Sequence, residues 1–112
     1  MSFEVILTDE AASNLRQTFR WLEDLSPQGA ARWLDAFEDA TQRLEESPIS
    51  CGRAPESRFS KRDLRQIFFK TRRGRLYRAI FYVQHQSVIV THIRGPRQQL
   101  LPPSELPDTD GR

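Results

Sequence analysis

The sequence predicts an α+β fold in which one strand, a two-helix hairpin and three further strands follow one another, with the helices packed on one face of the sheet. Three observations predict it: a short alternating segment near the start, two long segments with apolar residues at helical spacing, and three alternating segments separated by short turns. A chain of 112 residues suits one compact domain. We expect that domain to span residues 1–101 and a flexible proline-rich tail to follow over residues 102–112, where all periodicity ends.

The first strand and the first helix meet at a helix-start signal. In "SFEVILT" the apolar residues Phe3, Val5 and Leu7 alternate along the chain, which is typical of a strand. Thr8 and Asp9 then supply the capping chemistry with which helices begin. The segment "DEAASNLRQTFRWLEDL" that follows spaces its apolar residues as one face of a helix of about four turns.

The second helix follows almost at once, because Ser26 and Pro27 are favoured at the cap and first position of a helix. In "PQGAARWLDAFEDATQRLEES" the residues Trp33 and Phe37 lie on one apolar stripe, and Pro48 ends the segment. An aromatic stripe at this spacing usually belongs to a core. Two amphipathic helices with so short a link form an antiparallel hairpin that needs a sheet to cover its apolar side.

The second half of the chain is predicted to form a loop followed by a three-stranded meander. Residues 47–63 mix proline, serine, glycine and charge without a period, which predicts a surface loop. The strands are "LRQIFF", "LYRAIFYV" and "SVIVTHI", and their short connections force antiparallel pairing. Gly74 lies at the tip of the first connection, where we expect a positive φ, and "QHQ" forms the second.

Composition excludes several classes of protein. Cys51 is the only cysteine and His85 and His92 the only histidines, so no internal disulfide can form and a structural zinc site is not expected. No apolar run is long enough to span a membrane, and no signal sequence begins the chain, so we expect a cytoplasmic protein without a membrane partner. Phosphate-loop and nucleophile motifs are also missing, and we expect no cofactor.

Charge is divided sharply along the sequence. Residues 1–46 carry a balance of −6, residues 47–99 one of +10, and residues 100–112 one of −2. A block this basic indicates an anionic partner, either a phosphate backbone or an acidic protein segment. A solvated basic face is the simpler alternative, but the aromatic residues between the arginines favour binding.

Alternation along the strands predicts a second candidate site. Ala79, Phe81 and Val83 share a face and suit the helix-covered core, which places Arg78 and Tyr82 on the other face. Ile89, Thr91 and Ile93 alternate with Val90, His92 and Arg94 on the last strand. We therefore expect one exposed concave surface, and it is lined by Arg78, Tyr82, His92, Arg94 and Arg97.

Two functions suit such a surface. It could bind RNA through arginines on phosphate and a tyrosine stacked on a base. It could also cut RNA, with His92 or Tyr82 transferring a proton and arginines stabilising the developing charge. Alternatively, Arg78 pairs with an acidic side chain and His92 is an ordinary strand residue.

The order of the elements and four phrases resemble the RelE/ParE superfamily of type II toxin–antitoxin toxins. The phrases, in chain order, are "CGRAPE", "LRQI", "GRLYRAIFYV" and "HIRGPRQQLL". The resemblance runs from Phe3 to about Leu101. It implies a small toxin that a cognate antitoxin neutralises with acidic segments wrapped around the sheet and helices.

The superfamily contains two activities. RelE-like members cleave messenger RNA on the ribosome, and Arg78 and Arg97 match the arginines of that pattern. However, "RQIFF" replaces the expected lysine pair, and Leu101, Pro102 and Pro103 occupy the region of the expected tyrosine. ParE-like members instead inhibit DNA gyrase and have a longer helical hairpin, which this chain shares.

The resemblance therefore favours a ParE-like toxin acting on DNA gyrase. An RelE-like messenger RNA endonuclease is the alternative, and a degenerate toxin that binds only its antitoxin is a third. In the leading interpretation the residues that bind the target or the antitoxin are Lys70, Arg72, Arg73, Arg75 and Arg94.

Overall fold

A computed structural model describes residues 2–96, 98 and 100–107. The principal elements, in chain order, are β1 (Glu4–Leu7), α1 (Asp9–Leu25), α2 (Pro27–Glu46), β2 (Arg65–Phe69), β3 (Tyr77–Gln84) and β4 (Ser87–Arg94). Short 3₁₀ turns lie at Pro48–Ser50, Pro55–Phe59 and Pro103–Glu105. The predicted α+β order of strand, two helices and three strands is confirmed.

The two helices begin where the capping residues predict. Thr8 accepts a hydrogen bond from the Ala11 amide at 3.1 Å, and Asp9 and Glu10 occupy the first turn of α1, where negative charge is favoured. Ser26 ends α1 and caps α2, because its hydroxyl accepts from the Gly29 amide at 3.1 Å. One residue thus makes both caps and folds the helices back on each other.

Neither helix has the character of a membrane span. Across the part of the chain that the structure describes, no helix combines the length and apolar composition needed to cross a bilayer.

The sheet is mixed and has the strand order β1-β4-β3-β2. The meander β2-β3-β4 is antiparallel, as its short turns predict, while β1 pairs in parallel with the first half of β4. Beyond the end of β1, the start of α1 lies beside β4 and takes the place of a neighbouring strand there. The Ile93 amide of β4 donates to Asn14 Oδ1 of α1 at 3.0 Å.

A β-bulge changes the predicted faces of β4. Phe81 pairs with Val90, but Ile80 pairs with His92, so Thr91 is an extra residue in β4. The prediction that Val90 shares a face with His92 was wrong for this reason. Val90 and Ile93 both belong to the helix-facing core, and the alternation reverses between them.

The larger core lies between the hairpin and the sheet. Trp33, Phe37 and Leu44 from α2 pack against Phe69 and Phe81, and the rings of Trp33 and Phe69 are 5.7 Å apart. This is the stripe that the sequence predicts for α2. On β3, Ala79, Phe81 and Val83 face this core, also as predicted.

A second core covers the opposite face of the sheet. Ile80 is buried there with Ala54, Leu64, Leu101 and Leu106. The segment predicted to be a surface loop therefore packs against the sheet at Ala54. The C-terminal segment also lies there as far as Pro107, although the sequence predicts a loose tail from residue 102; its flexibility stays a prediction, and residues 108–112 lie outside the described residues.

The turn residues also differ from expectation. No described glycine has a positive φ, so the prediction for Gly74 was wrong. A Cβ at Gly74 would meet the side-chain hydroxyl of Thr71. In the β3-β4 turn, His85 adopts a left-handed φ of 57°.

We predict that Trp33→Ala lowers the free energy of unfolding by about 3–5 kcal/mol, because it removes a large side chain that is only 3% exposed. Urea denaturation followed by circular dichroism measures the change. Trp21→Ala is the matched control: Trp21 is 58% exposed, and its loss should change stability by less than about 0.5 kcal/mol. Equal midpoints for Trp33→Ala and the parent would contradict the packing.

Candidate protein-binding groove and the covered sheet face

An apolar groove of about 960 Å³ lies between the hairpin and the β2-β3 turn. Its floor contains Leu22, Trp33 and Tyr77, and the rings of Trp33 and Tyr77 make a T-shaped contact with a centroid distance of 5.4 Å. Trp21 and Leu25 line its outer wall and are 58% and 67% exposed. Large apolar side chains left in water at the rim of a groove are typical of a surface that binds another molecule.

Positive charge surrounds this groove. Arg72, Arg73 and Arg75 of the β2-β3 turn line one side, and Arg32 of α2 also contributes. Aromatic side chains next to arginines are the composition enriched where proteins bind each other most tightly. The groove therefore suits an occupant with an apolar stripe and acidic flanks.

One residue that lines the groove also has a buried donor without a partner. The indole nitrogen of Trp33 is buried and has no hydrogen-bond partner among the described residues. Such a buried N–H without a partner carries a free-energy cost.

The opposite face of the sheet is not the open surface that the strand pattern predicts. Arg78 points away from the helices, but its side chain is 13% exposed and forms a bidentate ion pair with Glu56, which is fully buried. Arg78 Nη1 and Nη2 donate to the two Glu56 oxygens at 2.9 and 2.5 Å. Nη1 also donates to Gln66 Oε1 at 3.1 Å, and the Leu101 amide donates to Glu56 at 3.1 Å.

These contacts decide the ionisation of Glu56. Burial raises the pKa of this carboxyl, but the hydrogen bonds from Arg78 and Leu101 outweigh burial and hold the pKa below the usual glutamate value. The side chain is therefore a carboxylate in the folded protein, and Arg78 neutralises it.

Tyr82 and His92 are covered as well. The guanidinium carbon of Arg62 lies 4.3 Å from the centroid of the Tyr82 ring. His92 is 6% exposed, and burial lowers the pKa of its imidazole, although Glu10 and Glu105 oppose that shift. The expectation of an exposed concave surface through Arg78, Tyr82 and His92 was wrong, because residues 54–60 and 100–107 lie over this face.

The remaining predicted binding residues do not form one site. Arg72, Arg73 and Arg75 come together at the groove, whereas Arg94 is half-buried on the covered face, where Arg78, Glu105 and Glu56 are its electrostatic neighbours. Lys70 is exposed at the end of β2. Arg97 lies outside the described residues.

Sequence reasoning missed two features of these surfaces. Trp21 and Leu25 lie off the apolar stripe of α1, and an apolar residue on the polar side of an amphipathic helix was the available signal. Glu56, one of two acidic residues in the basic block, had no comparable signal that it pairs with Arg78.

Comparison with known proteins adds two findings. A family model described as "ParE toxin of type II toxin-antitoxin system, parDE" matches residues 5–100. A solved structure titled "Chromosomal ParDE TA system from P. aeruginosa" has a TM-score of 0.61 and 17% sequence identity, over 83% of this chain and 95% of that chain. At this identity the second finding concerns the fold alone. No curated protein sequence matches the chain.

We predict that Arg78→Ala lowers the free energy of unfolding by about 3–5 kcal/mol, because it leaves the buried Glu56 carboxylate unpaired. The double variant Glu56→Leu/Arg78→Met should lose less, since it buries no charge. Chemical denaturation measures both. Arg53→Ala is the control, because it removes the exposed Arg53–Asp63 pair and one hydrogen bond to Ser57 Oγ but leaves no buried charge unpaired. Ser57 Oγ keeps its hydrogen bonds to Arg62 and Leu64, so the variant should cost less than about 1 kcal/mol.

The same pair predicts how stability depends on pH. Since the pKa of Glu56 is lower in the folded than in the unfolded protein, its contribution is present above the unfolded pKa. That contribution is lost as the pH falls through the folded pKa, so stability should decline progressively as the pH is lowered below the usual glutamate pKa. Denaturation at several pH values should give a shallower decline for Glu56→Leu/Arg78→Met than for the parent; parallel curves would show that Glu56 is not responsible.

Proposed function

The chain belongs to the ParE toxin family of type II toxin–antitoxin systems, and from this premise we propose that it is a toxin that binds and inhibits DNA gyrase and that a cognate acidic antitoxin neutralises it. Gyrase is the target implied by the resemblance to ParE-like toxins. The observation that carries the proposal is the groove, which offers a protein partner both apolar anchors and positive charge.

The anchors support a protein as the partner. Trp21 and Leu25 project from the last two turns of α1, beside the link to α2, and both are more than half exposed. Arg73 and Arg75 lie across the groove from them. Tryptophan and arginine dominate the binding energy of many protein interfaces when a partner buries them.

The charge supports an acidic segment as the neutralising partner. The basic turn between β2 and β3 presents Arg72, Arg73 and Arg75 close to the apolar wall of the groove. An amphipathic antitoxin segment with carboxylates along one side would pair with these arginines and place its apolar side on Trp21 and Leu25. Complementary charge of this kind accelerates association and selects the partner.

The covered sheet face argues against ribonuclease chemistry. A general acid or base must reach the proton it transfers, and an arginine must reach the phosphate it stabilises. Arg78 is instead bound to Glu56, and His92 is buried. Binding at the groove needs no rearrangement of either residue.

A supercoiling assay with purified gyrase tests the proposal. We expect the parent chain to inhibit supercoiling, and Trp21→Ala to weaken inhibition by at least about tenfold, because truncation of an interface hot spot costs on the order of 2 kcal/mol. Phe68→Ala is the matched control, since Phe68 is 45% exposed on β2 and outside the groove. It should inhibit like the parent.

Three outcomes would contradict the proposal in different ways. No inhibition at saturating toxin would exclude gyrase as the target. New RNA ends after induction in cells would favour the RelE-like endonuclease. Normal growth after induction without the antitoxin, together with retained antitoxin binding, would indicate a degenerate toxin.

A further inference from the structure

Three potential metal ligands from distant parts of the chain meet beside the C-terminal segment. They are Glu10 in the first turn of α1, His92 on β4 and Glu105 in the last 3₁₀ turn. One ligand atom from each lies within 4.8 Å of the other two. Both glutamates are exposed and the histidine is buried. The buried ring therefore holds one ligand in place, and an ion can reach the cluster from solvent on the side of the glutamates.

Hydrogen bonds made by the residues directly before and after His92 hold the start of α1, which contains Glu10, beside β4. The Thr8 hydroxyl donates to the Thr91 carbonyl at 3.1 Å, and the Ile93 amide donates to Asn14 Oδ1 at 3.0 Å. The first two turns of α1 are thus joined to the residues directly before and after His92. Glu10 lies between these two connections along the helix.

Contacts of the residues before and after Glu105 hold the backbone around it in place. Leu106 is 7% exposed in the second core, and the Ser60 hydroxyl donates to the Pro107 carbonyl at 2.5 Å. Leu101, on the other side of the turn, is buried and donates its amide to Glu56. The backbone around Glu105 therefore lies against the sheet even though its carboxylate is exposed.

His92 gives the second, independent indication of a ligand. The side chain is more than nine-tenths buried, and its Nδ1 has no hydrogen-bond partner among the described residues. A buried polar atom without a partner costs on the order of 1–3 kcal/mol.

We propose that Glu10, His92 and Glu105 bind a divalent transition-metal ion, for which Zn²⁺ is the probe, and that the ion fastens the C-terminal segment to α1 and β4. One imidazole and two carboxylates are ligands that Zn²⁺ accepts, with water completing the coordination. Bonds of about 2.0–2.2 Å require the three ligand atoms to approach somewhat closer than in the empty cluster. The exposed glutamates can make that movement by changing rotamers.

The proposal is independent of toxin activity, and calorimetric titration of the full chain with ZnCl₂ tests it. We expect one ion per chain and a rise in melting temperature on addition of Zn²⁺. Glu10→Gln and Glu105→Gln should each weaken binding by at least about tenfold, because an amide is a poorer ligand than a carboxylate. Both positions are exposed, so these variants should fold like the parent.

Controls distinguish this cluster from other sites on the protein. His85→Gln removes the other histidine, and Glu38→Gln removes an exposed carboxylate of α2; both should bind like the parent. Co²⁺ in place of Zn²⁺ should give visible absorption bands, and Glu105→Gln should need at least about tenfold more Co²⁺ to reach the same absorbance. No binding of Zn²⁺, or equal binding by the parent and both glutamate variants, would overturn the proposal.

Discussion

The buried ion pair between Arg78 and Glu56 joins three parts of the chain that the sequence keeps far apart. Arg78 belongs to β3, Glu56 to the long connection after α2, and the Leu101 amide that completes the carboxylate's hydrogen bonds to the C-terminal segment. A carboxylate can be fully buried only when its charge and lone pairs are satisfied. The connection and the C-terminal segment must therefore both lie on the sheet for the pair to exist.

This constraint explains why the sheet is covered on both sides. The hairpin buries one face, and the segments held by Glu56 bury Ile80 on the other. A strand with consecutive buried residues, such as Ala79, Ile80 and Phe81, requires cover on both sides. Exposed apolar surface lies instead at the groove beside the basic turn, where Trp21 and Leu25 remain in water and where we propose that partners bind.

Local rules predicted much of the fold because they act between near neighbours. Thr8, Ser26 and Pro27 mark the helix ends through contacts within one turn, and the stripe containing Trp33 follows from helical spacing. The candidate site was predicted less well. The basic turn was predicted to bind a partner, but the groove beside it was not predicted. Arg78 was predicted to point away from the helices, but the exposure of Arg78 and His92 depends on which segment covers them, and no local pattern records that.

The sequence by itself determined the elements, their order, the antiparallel meander and the family, since these depend on periodicity, capping and recurrent phrases along the chain. Only the tertiary structure decided the parallel pairing of β1 with β4, the bulge at Thr91 and the burial of Glu56 against Arg78. It also decided that Glu10, His92 and Glu105 meet. The physical reason is that each of these contacts joins residues distant in sequence, and its free energy depends on burial that exists only after the whole chain has packed.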